Sequence, residues 1–224
     1  YVAFSSARKS EQNRVWNGLA KETAHQIGTP LSSLMGWLEM LRLKEVDPSM
    51  IYEMEKDIKR LNTITDRFSK IGSQPERKET DVVEVTRHAV EYLRSRSPKK
   101  INISLTIGNQ PLFVKLNVPL YEWVIENLIR NAIDAIEKQG DIEVSIADTD
   151  KLVKIEVADT GKGIPPSSLK TVFRPGYSTK KRGWGLGLSL SKRIIEEYHN
   201  GTIYVLSSQP GVGTTLRINL KKNG

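Results

Sequence analysis

The 224-residue chain contains no cysteine, few aromatic residues and no long hydrophobic run. The absence of cysteine excludes disulfide bonds, cysteine-ligated zinc and thiol nucleophiles. The three histidines, His25, His88 and His199, are scattered along the chain, which argues against a structural zinc site. No stretch approaches the roughly 20 apolar residues of a membrane span, and no signal peptide is evident. The composition therefore predicts a soluble globular protein.

The positive charge of the chain is concentrated in its last third. The formal net charge is +8, which favours acidic partners. Between Asp159 and Glu196 there is no acidic residue, and the basic residues alternate with glycine-rich segments, which favours a polyphosphate ligand over a merely solvated surface. They do not form an aromatic-studded track, so we expect no nucleic-acid binding. These basic residues are Lys162, Lys170, Arg174, Lys180, Lys181, Arg182, Lys192 and Arg193.

The first third of the chain has the spacing of two amphipathic helices. Apolar residues recur at alternating steps of four and three, which predicts a long helix that ends near Leu43. Asp47 and Pro48 suit the cap and first turn of a second helix, and the short 44–46 connection makes the pair an antiparallel hairpin. The predicted seams are Trp16, Ala20, Thr23, Ile27, Pro30, Leu34, Trp37 and Leu41, then Ile51, Met54, Ile58, Leu61, Thr65 and Phe68.

One hairpin cannot cover two apolar seams by itself. We therefore expect a homodimer in which two hairpins form a four-helix bundle. The alternative is that the seams pack on the C-terminal domain of the same chain.

The remainder of the chain mixes helices and strands. Residues 72–75 form a turn-rich break and the best domain boundary. Helices are predicted over 81–95, 119–138 and 186–199, and strands over 101–107, 112–116, 142–147, 153–157, 202–206 and 214–220. Helices and antiparallel strands that alternate in this way predict an α+β sandwich. The expected segments are a linker or signalling helix (1–15), the hairpin (16–72), a linker (73–78) and the sandwich domain (79–224).

His25 is the candidate nucleophile. It falls between seam positions, which places its imidazole on the outward face of the first helix. A neutral imidazole can attack phosphorus without prior deprotonation by a strong base. Thr29 lies one turn later on the same side, and Gly28 and Pro30 weaken the helix beside the histidine. Such helix breakers beside a surface histidine favour a functional role.

A polar helix face and three glycine boxes form the candidate nucleotide site. Asn127, Asn131 and Asp134 share one face of the helix over 119–138, with Arg130 beside them, and amide oxygens suit Mg²⁺. The boxes cover residues 159–164, 183–188 and 211–215. Glycines let the backbone approach a ligand, the second box opens a helix, and Asp159 at a strand end can accept a hydrogen bond from an exocyclic amine.

These motifs together resemble the sensor histidine kinases of two-component systems. Residues 25–31, His-Gln-Ile-Gly-Thr-Pro-Leu, are similar to the phosphoacceptor motif of that family, although Gln26 replaces the usual Glu or Asp. The asparagine helix and glycine boxes resemble the Bergerat-type ATP fold of histidine kinases, gyrase, MutL and the large heat-shock chaperone. Residues 173–180 resemble the phenylalanine box and lid of the kinase branch. The resemblance covers residues 16–220.

The resemblance implies ATP and Mg²⁺ as cofactors and assigns roles to individual residues. Catalysis would involve His25, Gln26 and Thr29, and Asn131 would carry the metal. Asn127 in place of the glutamate of ATP-hydrolysing members favours phosphoryl transfer over hydrolysis. The implied nucleotide-binding residues are Asn127, Arg130, Asn131, Asp134, Asp159, Gly161, Gly163, Ile164, Phe173, Tyr177, Ser178, Thr179, Lys180, Arg182, Gly183, Gly185, Leu186, Gly187, Leu188 and Thr214.

The implied function is autophosphorylation of His25, followed by transfer to an aspartate of a response regulator. The resemblance also implies phosphatase activity toward that partner, in which Thr29 would take part. The apolar start of the chain, followed by Arg8, Lys9 and Arg14, suits a cytoplasmic segment anchored in the inner membrane by a span before Tyr1; an arbitrary start within a linker helix is the alternative. The competing functions are a nucleotide-gated scaffold and a chaperone-like ATPase.

Overall fold

The computed structural model describes residues 27, 30–44, 46–71, 76–108, 110–178 and 185–222, with backbone alone at 60, 63, 64 and 66–71. The chain divides into two compact units, Tyr1–Pro75 and Glu76–Gly224. Among the described residues, no helix combines the length and apolar character needed to cross a membrane.

The first unit contains an antiparallel helical hairpin. Helix α1 covers residues 30–42 within the described part, and helix α2 covers Pro48–Ile71. The Asp47 carboxylate accepts the backbone N–H of Ser49 at 2.9 Å, and this bond lowers the pKa of Asp47. Side-chain contacts between Met35 and Asn62 and between Arg42 and Glu55 join the two helices in antiparallel order. The predicted hairpin is confirmed.

The buried core of the hairpin differs from the predicted seam of the first helix. Leu31 and Leu38, which were not in that seam, are buried against Ile51 and Ile58 of α2. Leu31 and Leu38 are seven residues apart, as are Ile51 and Ile58, and the one neighbouring helix does not cover the wider apolar stripe of either helix. The described residues of the predicted first seam therefore lie beside the hairpin core, whereas Ile51 and Ile58 of the predicted second seam lie in it.

The uncovered residues form an apolar stripe, defined here as Leu34, Trp37, Met54 and Leu61. They are 45%, 62%, 41% and 41% exposed, respectively. At 3.6 residues per turn, each lies roughly 40–120° from the buried residues of its helix, in the same rotational sense. Because the helices are antiparallel, both halves of the stripe lie on the same side of the hairpin. One chain alone leaves this apolar face open to solvent.

The second unit is an α+β sandwich that begins with a small sheet. Asp81, the N-cap of the first helix of this unit, accepts the backbone N–H groups of Val83 at 3.0 Å and Leu112 at 3.1 Å. This carboxylate therefore links the start of the helix to Leu112, the residue just before the second strand of the small sheet. The elements are β1 Lys78–Asp81, α3 Val82–Arg94, β2 Ile101–Ile107, β3 Phe113–Leu116, α4 Val118–Ala135, β4 Gly140–Asp148, β5 Leu152–Asp159, α5 Gly187–Arg193, β6 Thr202–Gln209 and β7 Gly213–Lys221.

The main sheet has the strand order β2-β4-β5-β7-β6, while β1 pairs with β3 in the separate small sheet. Antiparallel strands were predicted throughout, but β2 and β4 are parallel, with Ile101 opposite Gly140. The reason is connectivity, since α4 crosses over between these two strands and returns the chain in the same direction. The other three pairings of the main sheet are antiparallel.

Helix α4 supplies much of the core between the helices and the sheet. Val124, Ile125, Leu128 and Ile129 are at most 1% exposed. The sheet contributes alternate residues of its central strands to the same layer, among them Ile142, Val144 and Ile155, as expected for strands with one face covered. The polar face of α4 is thereby turned away from this core.

Helix α5 continues as a π-helical segment over Ile194–Tyr198 and ends at the buried His199. The Nδ1–H of His199 donates to the carbonyl of Ile194 at 2.9 Å, and its Nε2 accepts the backbone N–H of Asn117 at 3.0 Å. Burial lowers the pKa of His199, so the neutral ring is favoured. His199 therefore has a structural role, because it joins the end of this helical segment to the start of α4.

Candidate nucleotide-binding site

The loop after β5 packs against the end of α4. The backbone N–H of Lys162 donates to the carbonyl of Ala135 at 2.9 Å. A Cβ atom at Gly161 would lie 2.7 Å from Ala135 atoms, so only glycine fits there without a shift. This contact fixes the first glycine box against the C-terminal end of α4.

The β6–β7 hairpin closes over the other side of the same loop. The backbone N–H of Gly211 donates to the carbonyl of Lys162 at 2.9 Å, and that of Ile164 donates to Ser208 Oγ at 2.8 Å. Ser208 Oγ also lies 2.9 Å from the hydroxyl of Thr214, which is only 7% exposed. The first and third glycine boxes therefore meet, although they are about 50 residues apart in sequence.

Asp159 lies at the end of β5 within this arrangement. Its Oδ1 accepts the backbone N–H of Gly161 at 2.8 Å. Burial raises the pKa of Asp159, and hydrogen bonds from the backbone of Gly161 and Thr214 oppose that rise. A partly desolvated carboxylate gains from an additional donor, so this position suits a ligand amine.

The asparagine face of α4 lies next to α5. Asn127 and Asn131 are half-buried, whereas Arg130 and Asp134 are exposed. The side-chain amide of Asn127 donates to Ser191 Oγ at 2.9 Å, and its oxygen lies 2.5 Å from the position that a Cβ at Gly187 would occupy. Arg130 forms an ion pair with Glu126 at 3.9 Å.

The chain at Gly176 lies against the described part of the second glycine box. The backbone N–H of Gly176 donates to the carbonyl of Gly185 at 3.0 Å. Gly185 has φ +65°, and a Cβ there would lie 2.5 Å from the carbonyl carbon of Gly176. Nearby, Lys192 Nζ lies 5.4 Å from the centre of the Phe173 ring, a cation–π contact.

The glycines of the predicted boxes have a packing reason in this fold. At Gly161, Gly163, Gly185 and Gly187, an added Cβ would collide with protein atoms. The expectation was that these glycines let the backbone approach a ligand. Close packing against neighbouring loops and, at Gly187, against the Asn127 side chain accounts for them without a ligand.

The predicted site residues fall into two groups that α4 connects. One group surrounds Asp159 at the C-terminal end of α4, and the other adjoins Asn127 and Gly187. Since Asn127 precedes Ala135 by eight residues, the groups are about 12 Å apart along the helix. The residues of the first group are Asp159, Gly161, Gly163, Ile164 and Thr214. The residues predicted for the site that lie outside the described ranges are His25, Gln26, Thr29, Thr179, Lys180, Arg182 and Gly183.

Three residues of this arrangement were not among the predicted site residues. Ser191 lies four residues after Gly187, and the helical i,i+4 spacing was a signal for it. Ala135 lies one residue after the predicted Asp134, and Ser208 had no local signal. No group of three or more His, Asp or Glu side chains that could hold a metal occurs within the described residues.

Comparison with known proteins identifies the two parts of the chain. Residues 16–74 match the His Kinase A (phospho-acceptor) domain, and residues 117–224 match the histidine kinase-, DNA gyrase B-, and HSP90-like ATPase family. Together these profiles cover most of the chain. The chain therefore belongs to the sensor histidine kinases, and the second unit has the expected Bergerat-type fold.

Individual relatives agree with this assignment. Sensor histidine kinase ZraS of Klebsiella oxytoca is 33% identical over 215 residues, which are 92% of this chain and 46% of that protein. The chain thus spans less than half of the length of this relative. The nucleotide-free catalytic domain of histidine kinase ThkA is 28% identical, with a TM-score of 0.60, over 66% of this chain and 96% of that one.

A second ThkA structure is a complex with the response regulator protein TrrA. It matches 99% of this chain and 66% of the ThkA chain, with a TM-score of 0.63 and 24% identity. At that identity the match shows the fold alone.

Proposed function

We propose that this chain uses ATP to phosphorylate His25 and then passes the phosphoryl group to an aspartate of a response regulator. The observation that carries the proposal is the partly buried Asp159 carboxylate, enclosed by two packed loops at the C-terminal end of α4, with the asparagine face one to two turns earlier on the same helix. This arrangement suits an elongated ligand with an amine at one end and phosphates at the other. The phosphoacceptor profile includes His25, which supports that residue as the acceptor.

The chemistry at His25 is a phosphoryl transfer. A ring nitrogen of the neutral imidazole attacks the γ-phosphorus of ATP, the nitrogen–phosphorus bond forms, and the bond to the bridging oxygen breaks. ADP leaves with that electron pair, and the other ring nitrogen loses its proton. Gln26 can orient the ring as a hydrogen-bonding amide but is a poor base, so we expect solvent to receive the proton.

The residues of the second unit would bind and orient the nucleotide. Asp159 would accept a hydrogen bond from the adenine amine, and Asn131 and Asn127 would face the phosphates, with Arg130, Lys180 and Arg182 supplying positive charge. Mg²⁺, when bound, would neutralise phosphate charge. In the described part of the chain no cluster of three or more acidic or histidine side chains adjoins these amide oxygens, which suits a cation that arrives with the polyphosphate and keeps several waters.

We further propose that the protein acts as a homodimer. The apolar stripe on one side of the hairpin is a surface that a second hairpin would cover in a four-helix bundle. The same proposal includes phosphatase activity toward that regulator, in which Thr29 would take part. It also includes attachment of the parent protein to the inner membrane through a segment before Tyr1. The fold is shared with ThkA, which a solved structure shows in complex with the response regulator protein TrrA.

Labelling with ATP that carries a radioactive γ-phosphate tests the proposal. With Mg²⁺ present, we expect the chain to acquire a label that is lost in acid and stable in base, as a phosphoramidate should be. His25→Gln should abolish the label. His88→Gln is the matched control, because His88 is a solvent-exposed histidine of the second unit, and it should label normally. An acid-labile label that persists in His25→Gln would contradict the proposal.

A further inference from the structure

One row of side chains on the covered face of the main sheet is polar. Asp159 of β5 pairs with Thr214 of β7, which in turn pairs with Ser208 of β6. Residues directly opposite each other in neighbouring strands have their side chains on the same face of the sheet. The polar row therefore lies where the apolar core ends and the candidate nucleotide site begins. The adjacent row of the same three strands is apolar and consists of Val157, Leu216 and Val205.

Ser208 belongs to this row because β6 contains a β-bulge. The register of β6 against β7 shifts between Val205 and Ser207, so that Leu206 has no residue opposite it. Val205 lies on the covered face, and strict alternation would place Ser207 on that face and Ser208 on the other. The extra residue reverses this order. Bulges commonly re-aim a side chain beside a functional site, and this one brings a hydroxyl into the row of Asp159.

The Ser208 hydroxyl joins the first and third glycine boxes. It accepts the backbone N–H of Ile164 at 2.8 Å, and it lies 2.9 Å from the hydroxyl of Thr214 and 3.2 Å from the carbonyl oxygen of Gly213. A hydroxyl has one proton and two acceptor sites. The bond to Ile164 uses an acceptor site, and the proton has an acceptor in the third box at either Thr214 or Gly213. The link between the boxes therefore does not depend on which of these oxygens receives the proton.

The two boxes that Ser208 joins both hold the Asp159 carboxylate. Gly161, in the segment that ends at Ile164, donates its backbone N–H to Asp159 Oδ1 at 2.8 Å. The backbone of Thr214 also forms a hydrogen bond to this carboxylate. Donors from two segments fix the orientation of a carboxylate only if the segments keep their relative positions. Without the Ser208 hydroxyl, the Ile164 N–H loses its acceptor and one link between the segments is lost.

We propose that Ser208 is a positioning residue for adenine recognition, because its hydroxyl aligns the two segments that orient the Asp159 carboxylate toward the purine amine. This inference rests on the proposed function and deepens it, since it assigns part of the selectivity for adenine to a residue outside the predicted site. Its signature is selective: loss of the hydroxyl should weaken the contact to the amine more than the other contacts of the nucleotide.

A nucleotide without the amine isolates this contact. Purine riboside 5′-triphosphate is ATP with hydrogen in place of the 6-amino group. Ser208→Ala removes the hydroxyl, and Ser208→Cys replaces it with a thiol, which is a weak hydrogen-bonding group. Ser207→Ala is the matched control, because Ser207 is the exposed neighbour on the opposite face of β6.

Each variant would be made in the full chain, and its thermal midpoint would be measured first to verify that it folds. The first glycine box is also held by the bond from Lys162 to Ala135, so we expect the variants to fold. Calorimetric titration with each triphosphate, in Mg²⁺, then gives the preference for ATP as a ratio of two dissociation constants.

We expect the unsubstituted chain and Ser207→Ala to bind ATP more tightly than the amine-free triphosphate. In Ser208→Ala and Ser208→Cys this preference should fall roughly tenfold, as weakening of a hydrogen bond to a charged group predicts. Affinity for the amine-free triphosphate should change little. If Ser208→Ala does not fold, Ser208→Cys decides.

An unchanged preference in a folded Ser208 variant would overturn the inference, and so would an equal loss of affinity for both triphosphates, which a purely structural role predicts. An unsubstituted chain that binds both triphosphates equally would also overturn it, because the amine contact would then be absent. If the unsubstituted chain binds neither triphosphate, the proposed function fails as well, which is a different result.

Discussion

The two units differ in how much of their apolar surface they bury by themselves. In the hairpin, the buried core found among the described residues consists of Leu31, Leu38, Ile51 and Ile58. In the second unit, a helix layer and a five-stranded sheet enclose many residues with no exposed surface, among them Val124, Ile129 and Ile155. The hairpin keeps large apolar side chains in contact with water.

From this difference we expect the second unit to be stable alone and the hairpin to require a partner. Burial of apolar surface is the main favourable term in folding, and two helices bury too little of it to offset the entropy of ordering the chain. The second unit has a full core of its own. We therefore expect substitutions in the second unit to alter its own stability, and substitutions on the apolar stripe to alter assembly.

The largest expected effect is on the core of the second unit. Ile129→Ala removes a side chain with 0% exposure, and should lower the free energy of unfolding by about 2–5 kcal/mol. Ile133→Ala, on the same helix at a half-buried position, should cost less than half as much. Urea unfolding followed by circular dichroism measures both. Equal costs at the two positions would mean that α4 does not pack as described.

An intermediate effect is expected on the apolar stripe. Trp37→Glu places a charge on the face that a second hairpin would cover, and should shift the chain from dimer to monomer at micromolar concentration. Tyr52→Glu is the matched control, because Tyr52 is similarly exposed, at 64%, but lies two residues before Met54 and so on the opposite side of α2. Sedimentation analysis should find a dimer for Tyr52→Glu. A dimer that survives Trp37→Glu would rule out the stripe as the interface.

The smallest expected effect is a pH dependence in the second unit. Burial and the positive charge of Arg77 lower the folded-state pKa of His199 below its ordinary value of 6.5. Above pH 6.5 the ring is neutral in both the folded and the unfolded chain, so the stability that the neutral ring contributes is fully present. As the pH falls below 6.5, the unfolded chain binds the proton first, so stability decreases, by at most about 1.4 kcal/mol per pH unit.

Urea unfolding between pH 5 and 8 measures this slope. His199→Gln should lose this contribution to the slope, while His88→Gln, with a solvent-exposed ring, should keep it. If both variants keep the full slope of the unsubstituted chain, the pH dependence comes from other groups.

Local patterns were sufficient to predict much of the fold. Strand β2 occupies Ile101–Ile107 as its alternation predicted, and α2 begins at Pro48 after the predicted Asp47 cap. Helix α4 ends at Ala135, three residues earlier than expected, because Ile136 takes an extended backbone and is buried. Apolar periodicity does not distinguish that ending from continued helix.

Features that depend on distant partners were not predicted. Strand β1 contains Lys78 and Glu79 and has no apolar alternation; it exists because β3 pairs with it. The parallel pairing of β2 with β4 is likewise a matter of topology. In the candidate site, Asp159 and Asn127 were found from their motifs, whereas Ser208 was not, since its partner Ile164 is 44 residues away.

The parallel pairing of β2 and β4 has a consequence for the order of folding. Strands β4 and β5 are joined by a short turn, as are β6 and β7, so these hairpins can form from neighbouring residues. Strand β2 can pair with β4 only after β3 and α4, which lie between them in sequence, have brought the chain back to it. Strand β2 also occupies an edge of the sheet. We expect β2 to dock last and detach first, so amide hydrogens of Ile101–Ile107 should exchange with solvent before those of β5.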